Sequence, residues 1–252
     1  MTLCSRGQCR RIIDLARAER PAQGIWCDDR AVRRLSAAPL RAHPLGDSAV
    51  TIVFGAERSA ELLRRVHSAA RALEAAKIPH VEDVVPAYLA LTVFYDPRNA
   101  SYEEISATLM AACDRATHSS ARSPKSREHR IPIRYDGMDL EAVATSTGLS
   151  VEDVIARHLA RAYTVDLLGF VPGFAYLSEL DPSLHLPRRA QPRPRIAAGS
   201  VAIAAAQTAV YPLDTPGGWH IIGSTQTVMF DPTRDAPALL APGDTVRFER
   251  VP

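Results

Sequence analysis

From Ser59 to about Lys77 the apolar residues Leu62, Leu63, Val66, Ala69, Ala70 and Leu73 recur at three- and four-residue steps. That spacing places them on one face of an α-helix, and Ser59 ahead of Glu61 offers an N-cap oxygen. Ser101 with Glu104 three residues later is a capping-box pattern that starts a second helix, burying Ile105, Leu109 and Ala112. Ala49 to Phe54, Val81 to Pro86 and Tyr88 to Tyr95 are instead short β-rich runs, the last stopped by Asp96-Pro97. The order of these segments predicts helices covering one face of a largely antiparallel sheet.

Thr117 to His129 is rich in Ser, Arg and Pro and has no apolar period, which marks a linker. Ile131 to Tyr135 reads as a strand, with Pro132 assigning it to a sheet edge. A helix follows from Asp139 through Leu140, Val143 and Ala144, with Gly148 as its C′ residue. Ser150 with Asp153 caps the next helix, which presents Val154, Ile155, His158 and Leu159, and Ala162 to Leu168 is a strand. From Leu167 to Phe248 the grammar changes. Pro/Gly turns join short apolar or aromatic runs, as in Gly169-Phe170-Val171-Pro172-Gly173 and Thr215-Pro216-Gly217-Gly218-Trp219. That is the pattern of strands linked by tight turns. The expected fold is an α+β N-terminal domain over 39–120, a linker over 121–129, and a mainly-β barrel or sandwich-like domain over 130–252. Residues 1–38 show one short amphipathic face and otherwise read as an extension. A misassigned start, a disordered tail and a basic arm remain open for it.

Composition narrows the functional classes. The 252 residues are 46% hydrophobic and 23% charged, with net charge +2, as in an ordinary globular protein. Nine arginines stand against four acidic residues in 1–44, so the remainder is slightly acidic, which argues against nucleic-acid binding. Cys4, Cys9, Cys27 and Cys113 fit no zinc spacing and imply no disulfide framework. No apolar run is long enough for a membrane span, and no signal-peptide core is visible, so a cytoplasmic location is expected. There is no G-x-x-x-x-G-K-[ST] loop for ATP and no H-E-x-x-H or G-x-S-x-G motif, and no metal site is expected. Lys77 and Lys125 are the only lysines, which leaves little basis for Schiff-base or biotinyl-lysine chemistry.

The candidate chemistry gathers after Ala156. His158 titrates near neutrality and is a candidate acid/base, or else a helix histidine satisfied by its surroundings. Phe170 and Phe174 read as core rings, whereas Tyr176 offers a hydroxyl to a cleft. Arg188, Arg189, Arg193 and Arg195 lie among prolines, and guanidinium forks suit carboxylates and phosphates. Arg193 and Arg195 are the better anion ligands because they abut a strand, and a solvated basic loop is the alternative. Gln207 can read an amide with both a donor and an acceptor. Tyr211 lies beside it in the sequence. Gly217 and Gly218 expose backbone N–H groups suited to a polarised carbonyl oxygen, with Trp219 stacking beside them. A hairpin turn with Trp219 in the core is the competing reading.

Leu168–Leu177, Pro187–Arg189, Pro192–Ala204, Gln207–Gly223, Phe230–Pro232 and Pro237–Phe248 together resemble the PxpB/KipI family, over the chain from about Arg41 onward. That family comprises the B subunits of 5-oxoprolinase and the first subunits of allophanate hydrolase, and is similar to subdomains C and D of the urea carboxylase carboxyltransferase. The resemblance implies that the second domain is a cyclophilin-like barrel. It also implies one component of an ATP-dependent 5-oxoprolinase, which opens the lactam of 5-oxoproline to glutamate. ATP would be used by an assembly with a partner like the C component of that enzyme, similar to the other half of the carboxyltransferase, and a lactam-utilisation protein like its A component. His158 matches a family histidine. An allophanate hydrolase component working on urea-derived amides and a KipI-like binder of a histidine kinase are the alternatives. The chain departs from the family at Ala206 and Ala209, where glycine is usual, and at Ser224, where arginine is usual. The two alanines are expected to narrow the cleft.

Overall fold

The computed structural model describes residues 39–118 and 126–252, so the expectations for residues 1–38 and Lys125 lie outside the described residues. Strands β1 (Arg41–Pro44), β2 (Ala49–Val53), β3 (Val81–Pro86) and β4 (Ala90–Tyr95) form one antiparallel sheet in the order β1-β2-β4-β3. Helices α1 (Ala60–Ala76) and α2 (Tyr102–His118) pack with it. Val50, Ile52, Leu91 and Val93 from the central strands meet Leu62, Val66 and Leu73 of α1 and Leu109 of α2 in one buried cluster. Both helix starts are fixed as their sequences require. The Leu62 N–H donates to Ser59 Oγ at 3.1 Å. Ser101 and Glu104 exchange backbone-to-side-chain bonds at 3.1 and 3.3 Å, which is the full capping box.

The rest of the chain comprises β5 (Glu128–Ile133), α3 (Leu140–Thr147), α4 (Val151–Leu159), β6 (Tyr163–Leu168), β7 (Ala175–Ser178), β8 (Arg193–Ile196), β9 (Ser200–Ala204), β10 (Gln207–Val210), β11 (Thr215–Gly217), β12 (His220–Ser224) and β13 (Thr245–Arg250). Seven of these strands form a sheet in the order β12-β9-β10-β7-β6-β13-β5, and β8 and β11 make a separate ribbon. Strand β5 begins at Glu128, inside the stretch expected to be linker, because it pairs in parallel with β13 from Thr245 onward. Pro132 lies on an end strand of this sheet, as expected for a residue with no N–H to give.

The two ends of the sheet meet. Arg134, just past β5, exchanges both backbone bonds with Ser224 at the end of β12, at 2.9 and 2.8 Å. The sheet is therefore a nearly closed barrel, bridged at one point between its two end strands. Its interior holds Ile131, Ile133, Tyr163, Val165, Leu177, Val201, Ile203, Val210, Ile222, Val246 and Phe248, joined by Leu140 and Val143 of α3 and Val154 and Ile155 of α4. The alternate residues of β7, β9 and β10 point the other way. There Ala202, Ala204 and Ala209 underlie Phe174, Tyr211, Trp219 and Ile196 in a second apolar cluster. Period-two alternation thus gives the sheet two buried faces.

Candidate functional site

The outer face of the barrel carries a connected row of rings and polar groups. Phe174 and Tyr176 come from the turn and strand after Pro172, and Trp219 from the turn after β11. Tyr176 stands edge-on to Phe174 at 5.0 Å, Trp219 at 5.9 Å and Tyr88 at 6.5 Å between ring centroids. Tyr176 is half-buried, and its hydroxyl has no hydrogen-bond partner among the described residues. Gln207 starts β10 opposite Ala204, and its amide N–H donates to the Tyr88 hydroxyl at 2.9 Å. Tyr88 comes from the loop between β3 and β4, so the row runs across both halves of the chain. The structure brings Tyr176, Gln207 and Trp219 into one connected site, with Tyr88 as the link.

The arginines sort differently from the expectation. Arg195 is exposed and pairs with Asp214, its Nε at 2.8 Å from Oδ2. Arg193 and Arg189 are both held by Asp139, at 2.6 and 3.1 Å. The guanidinium over the site is that of Arg188, 5.8 Å from the Trp219 ring centre, a cation–π distance. It makes no ion pair among the described residues. Arg188 is therefore the guanidinium beside the rings without an acidic partner among the described residues, whereas Arg195 and Arg193 are engaged by Asp214 and Asp139.

The glycines and Tyr211 also differ from the expectation. Gly217 pairs with Arg193 in the β8–β11 ribbon. A Cβ there would lie 2.4 Å from the Tyr211 hydroxyl oxygen, so glycine is required by packing rather than by display of N–H groups. The Gly218 carbonyl accepts the Arg189 N–H at 2.8 Å. Tyr211 and Trp219 are 1% and 4% exposed, so they form the wall of the site rather than its surface. Burial raises the Tyr211 pKa against the Trp219 backbone bond to its oxygen, so it stays a neutral phenol. Ala209 is fully buried beneath these rings and narrows no cleft, whereas Ala206 lines a separate one described next.

Where α1 meets the barrel there is a cleft of ≈ 410 Å³. Asp166 lies on its lining. The β6–β7 register runs Val165 opposite Leu177 and then Leu167 opposite Tyr176, so Asp166 is the extra residue of a β-bulge. Its side chain is wholly buried and its Oδ2 pairs with Arg58. Gln207 Nε2 lies 3.5 Å from the same oxygen. Oδ1 has no partner. Burial raises the Asp166 pKa, opposed first by the Ser178 hydroxyl and then by Arg58 and Gln207. The His67 Nε2 lies 2.6 Å from the Asp166 carbonyl oxygen, and burial lowers the pKa of that ring, so it is neutral and donates there. Arg58 also stacks over Tyr88 at 5.0 Å.

Arg58, His67, Tyr88 and Asp166 are not among the residues that the sequence singles out. Two of them leave a signal in it. Asp166 is the lone carboxylate inside the run Tyr163-Thr164-Val165-Asp166-Leu167-Leu168. His67 sits one step after Val66 on the apolar stripe of α1.

His158 is overturned as the acid/base. It is fully buried inside the barrel, stacked on Phe248 at 4.7 Å, and does not reach the outer-face row. Thr208 Oγ1 donates to the Ala202 carbonyl, so it accepts from His158 Nε2 at 3.0 Å. Nδ1 is then the acceptor of the Tyr135 hydroxyl at 2.8 Å. Burial lowers its pKa to about 3, so the ring is neutral at any working pH and serves the core.

Among the described residues no cluster of three or more His, Cys, Asp or Glu side chains could hold a metal, and no helix is long and apolar enough to cross a membrane.

Comparison with known proteins agrees with this architecture. The family model for the carboxyltransferase domain, subdomains C and D, matches residues 40–240. The 5-oxoprolinase B subunit of Bacillus subtilis is 40% identical over 82% of this chain and 91% of its own. That of Escherichia coli O157:H7 is 41% identical over 82% of this chain and 94% of its own. The solved protein TTHA0988 superposes with a TM-score of 0.72 at 43% identity, over 81% of this chain and 40% of that one, so this chain spans well under half of it. The urea carboxylase of Kluyveromyces lactis, at 19% identity, shares the fold with a TM-score of 0.67, over 84% of this chain and 22% of that one. With the matched residues spanning both the four-stranded sheet and the barrel, the chain belongs to the carboxyltransferase subdomain C and D family, in the group of the 5-oxoprolinase B subunits.

Proposed function

We propose that this chain is the B subunit of an ATP-dependent 5-oxoprolinase, built as an N-terminal α+β domain (39–120) and, after a short linker, a cyclophilin-like barrel domain. The observation that carries the reading is the extent of kinship: three curated 5-oxoprolinase B subunits match at 36–41% identity across 91–95% of their own lengths. In this reading the outer-face row binds the small lactam acid. Arg188 takes its carboxylate, and the Tyr176 hydroxyl and Gln207 take its amide. Opening an unstrained lactam needs an activated carbonyl, and phosphoryl transfer from ATP to its oxygen would supply that activation. In this reading ATP is used by the partners, like the C and A components of that enzyme, which close over this face, in keeping with a sequence that has no G-x-x-x-x-G-K-[ST] loop.

The test is a reconstitution. The chain alone with ATP and 5-oxoproline is expected to release no glutamate, and the chain with both partners to release it. Turnover by the chain alone, or undiminished turnover by the partners without it, would refute the reading. In the assembled enzyme, Arg188→Ala is expected to raise KM for 5-oxoproline about tenfold with kcat nearly unchanged, the signature of a lost ground-state ion contact. Unchanged KM would remove Arg188 from the substrate.

A further inference from the structure

The bulge at Asp166 buries a carboxylate that Arg58 and Gln207 reach at one oxygen only. A buried acid with one oxygen left unpaired weakens a fold, because that oxygen forfeits water without gaining a donor. Here the unpaired atom is Oδ1, since the neighbouring Ser178 hydroxyl donates to the Thr164 carbonyl at 3.3 Å, and the Asp166 side chain is 0% exposed. The surroundings hold it in place. His67 donates to the backbone carbonyl of the same residue, which fixes the bulge. Gly243 permits His67 to sit there, since a Cβ at that position would lie 3.2 Å from its Nδ1. Bulges that re-aim one side chain are concentrated beside functional sites.

The cleft over this carboxylate combines two demands. Asp166 Oδ1 calls for an N–H donor. Arg64, exposed on α1 and without an ion pair among the described residues, calls for an anion at the mouth. Arg58 lines the same cleft. It is 36% exposed, pairs with Asp166 Oδ2, and stacks on the Tyr88 ring, which offers it a seat when it leaves the carboxylate. The volume of ≈ 410 Å³ falls within the range of small-molecule sites.

We propose that this cleft is a ligand site distinct from the row of rings, taking a small amino-acid-like anion whose N–H bonds Asp166 Oδ1 and whose carboxylate faces Arg64, with Arg58 as the movable cover. The ligand chemistry is an amide or ammonium N–H close to a carboxylate. A lactam acid and an open-chain α-amino acid both carry it. The site extends beyond the proposed substrate row and does not depend on that row being correct. Removal of the buried charge identifies the role. A carboxylate kept for the fold would be missed when neutralised, whereas one kept for a ligand would not.

The experiment is calorimetric titration of the full chain with 5-oxoproline and, separately, with glutamate, alongside thermal unfolding. The wild-type chain is expected to bind one of the two. Asp166→Asn is expected to weaken that binding at least tenfold while keeping or raising the thermal midpoint. Arg64→Glu, on an exposed helix position, is expected to weaken it several-fold and provides the answer if the Asp166 variant does not fold. Binding that is unchanged in the folded Asp166→Asn chain, or unchanged in Arg64→Glu, overturns the site, as does absence of binding of both probes to the wild type. Loss of binding in Arg188→Ala alone places the ligand on the row of rings and also overturns it. Preference for 5-oxoproline over glutamate identifies the lactam form, and the reverse identifies the open chain.

Discussion

Gly223→Ala is expected to destabilise the chain by at least about 3 kcal/mol, lowering its thermal midpoint by about 10 °C. Gly223 sits where the barrel closes. A Cβ there would lie 2.4 Å from the Arg134 carbonyl oxygen and 3.0 Å from Ile133 Cδ1. The Arg134 carbonyl is the acceptor of the Ser224 N–H at 2.8 Å, so it cannot retreat without breaking the closing bridge. Gly137 presses from the other side, its would-be Cβ 2.3 Å from the Ile222 carbonyl carbon. At each glycine the nearest atom is backbone, so the added methyl must separate backbone from backbone. The reference is Gly148→Ala, where the positive φ of 70° is strained but nothing lies within 4 Å. That variant is expected to cost only about 1 kcal/mol. Thermal unfolding of the two side by side checks the claim, and equal losses would mean that the barrel is not held shut at Arg134–Ser224.

Periodicity foretells the elements because local physics sets them. Ser59, Ser101 and Ser150 each cap the helix they precede, and the Gly148 αL turn ends α3 as its sequence requires. The row of Tyr176, Gln207 and Trp219 is legible too, since ring residues and Pro/Gly corners cluster in one stretch. Partnership at long range is not. Tyr88 joins Gln207 across 119 positions, and Arg58 joins Asp166 across 108. No local pattern records such pairs. The arginine cluster misleads for the same reason: Asp139 and Asp214, not a ligand, engage three of the four guanidiniums. His158 misleads because a helix histidine looks the same on paper whether it faces a cleft or a core. Its partners Tyr135 and Thr208 come from elements that only the closed barrel brings around it.

Asp139 shows how a local reading can be right in place and incomplete in role, and it carries the second large effect. It does occupy the N-cap of α3, but its side chain makes no capping bond. It turns instead to the barrel's end strand. Oδ2 accepts the Ile221 N–H at 2.8 Å and the Asp139 N–H donates to the Ile221 carbonyl at 3.0 Å, so the residue acts as one more rung of the ladder. The same carboxylate holds Arg193 and Arg189, which anchor the β8–β11 ribbon under Trp219. Asp139→Ala therefore leaves a buried N–H and two guanidiniums without their acceptor, a loss of about 3 kcal/mol given that both arginines keep some contact with water. Burial by itself would raise the Asp139 pKa, but Arg193, the Ile221 N–H and Arg189 together hold it below the ordinary value. A carboxyl depressed in the folded state gives stability that is fully present above its unfolded pKa of about 4 and is lost as pH falls through the folded value. Asp139→Asn, which keeps the shape and removes the charge, is thus expected to be less stable than wild type at pH 7, with the gap closing below about pH 4 as the wild-type carboxyl takes up its proton. Urea unfolding of both chains between about pH 7 and about pH 2.5 measures the gap directly. A gap that stays constant to the lowest pH, or none at pH 7, would show that the charge on Asp139 does not hold the ribbon to the barrel.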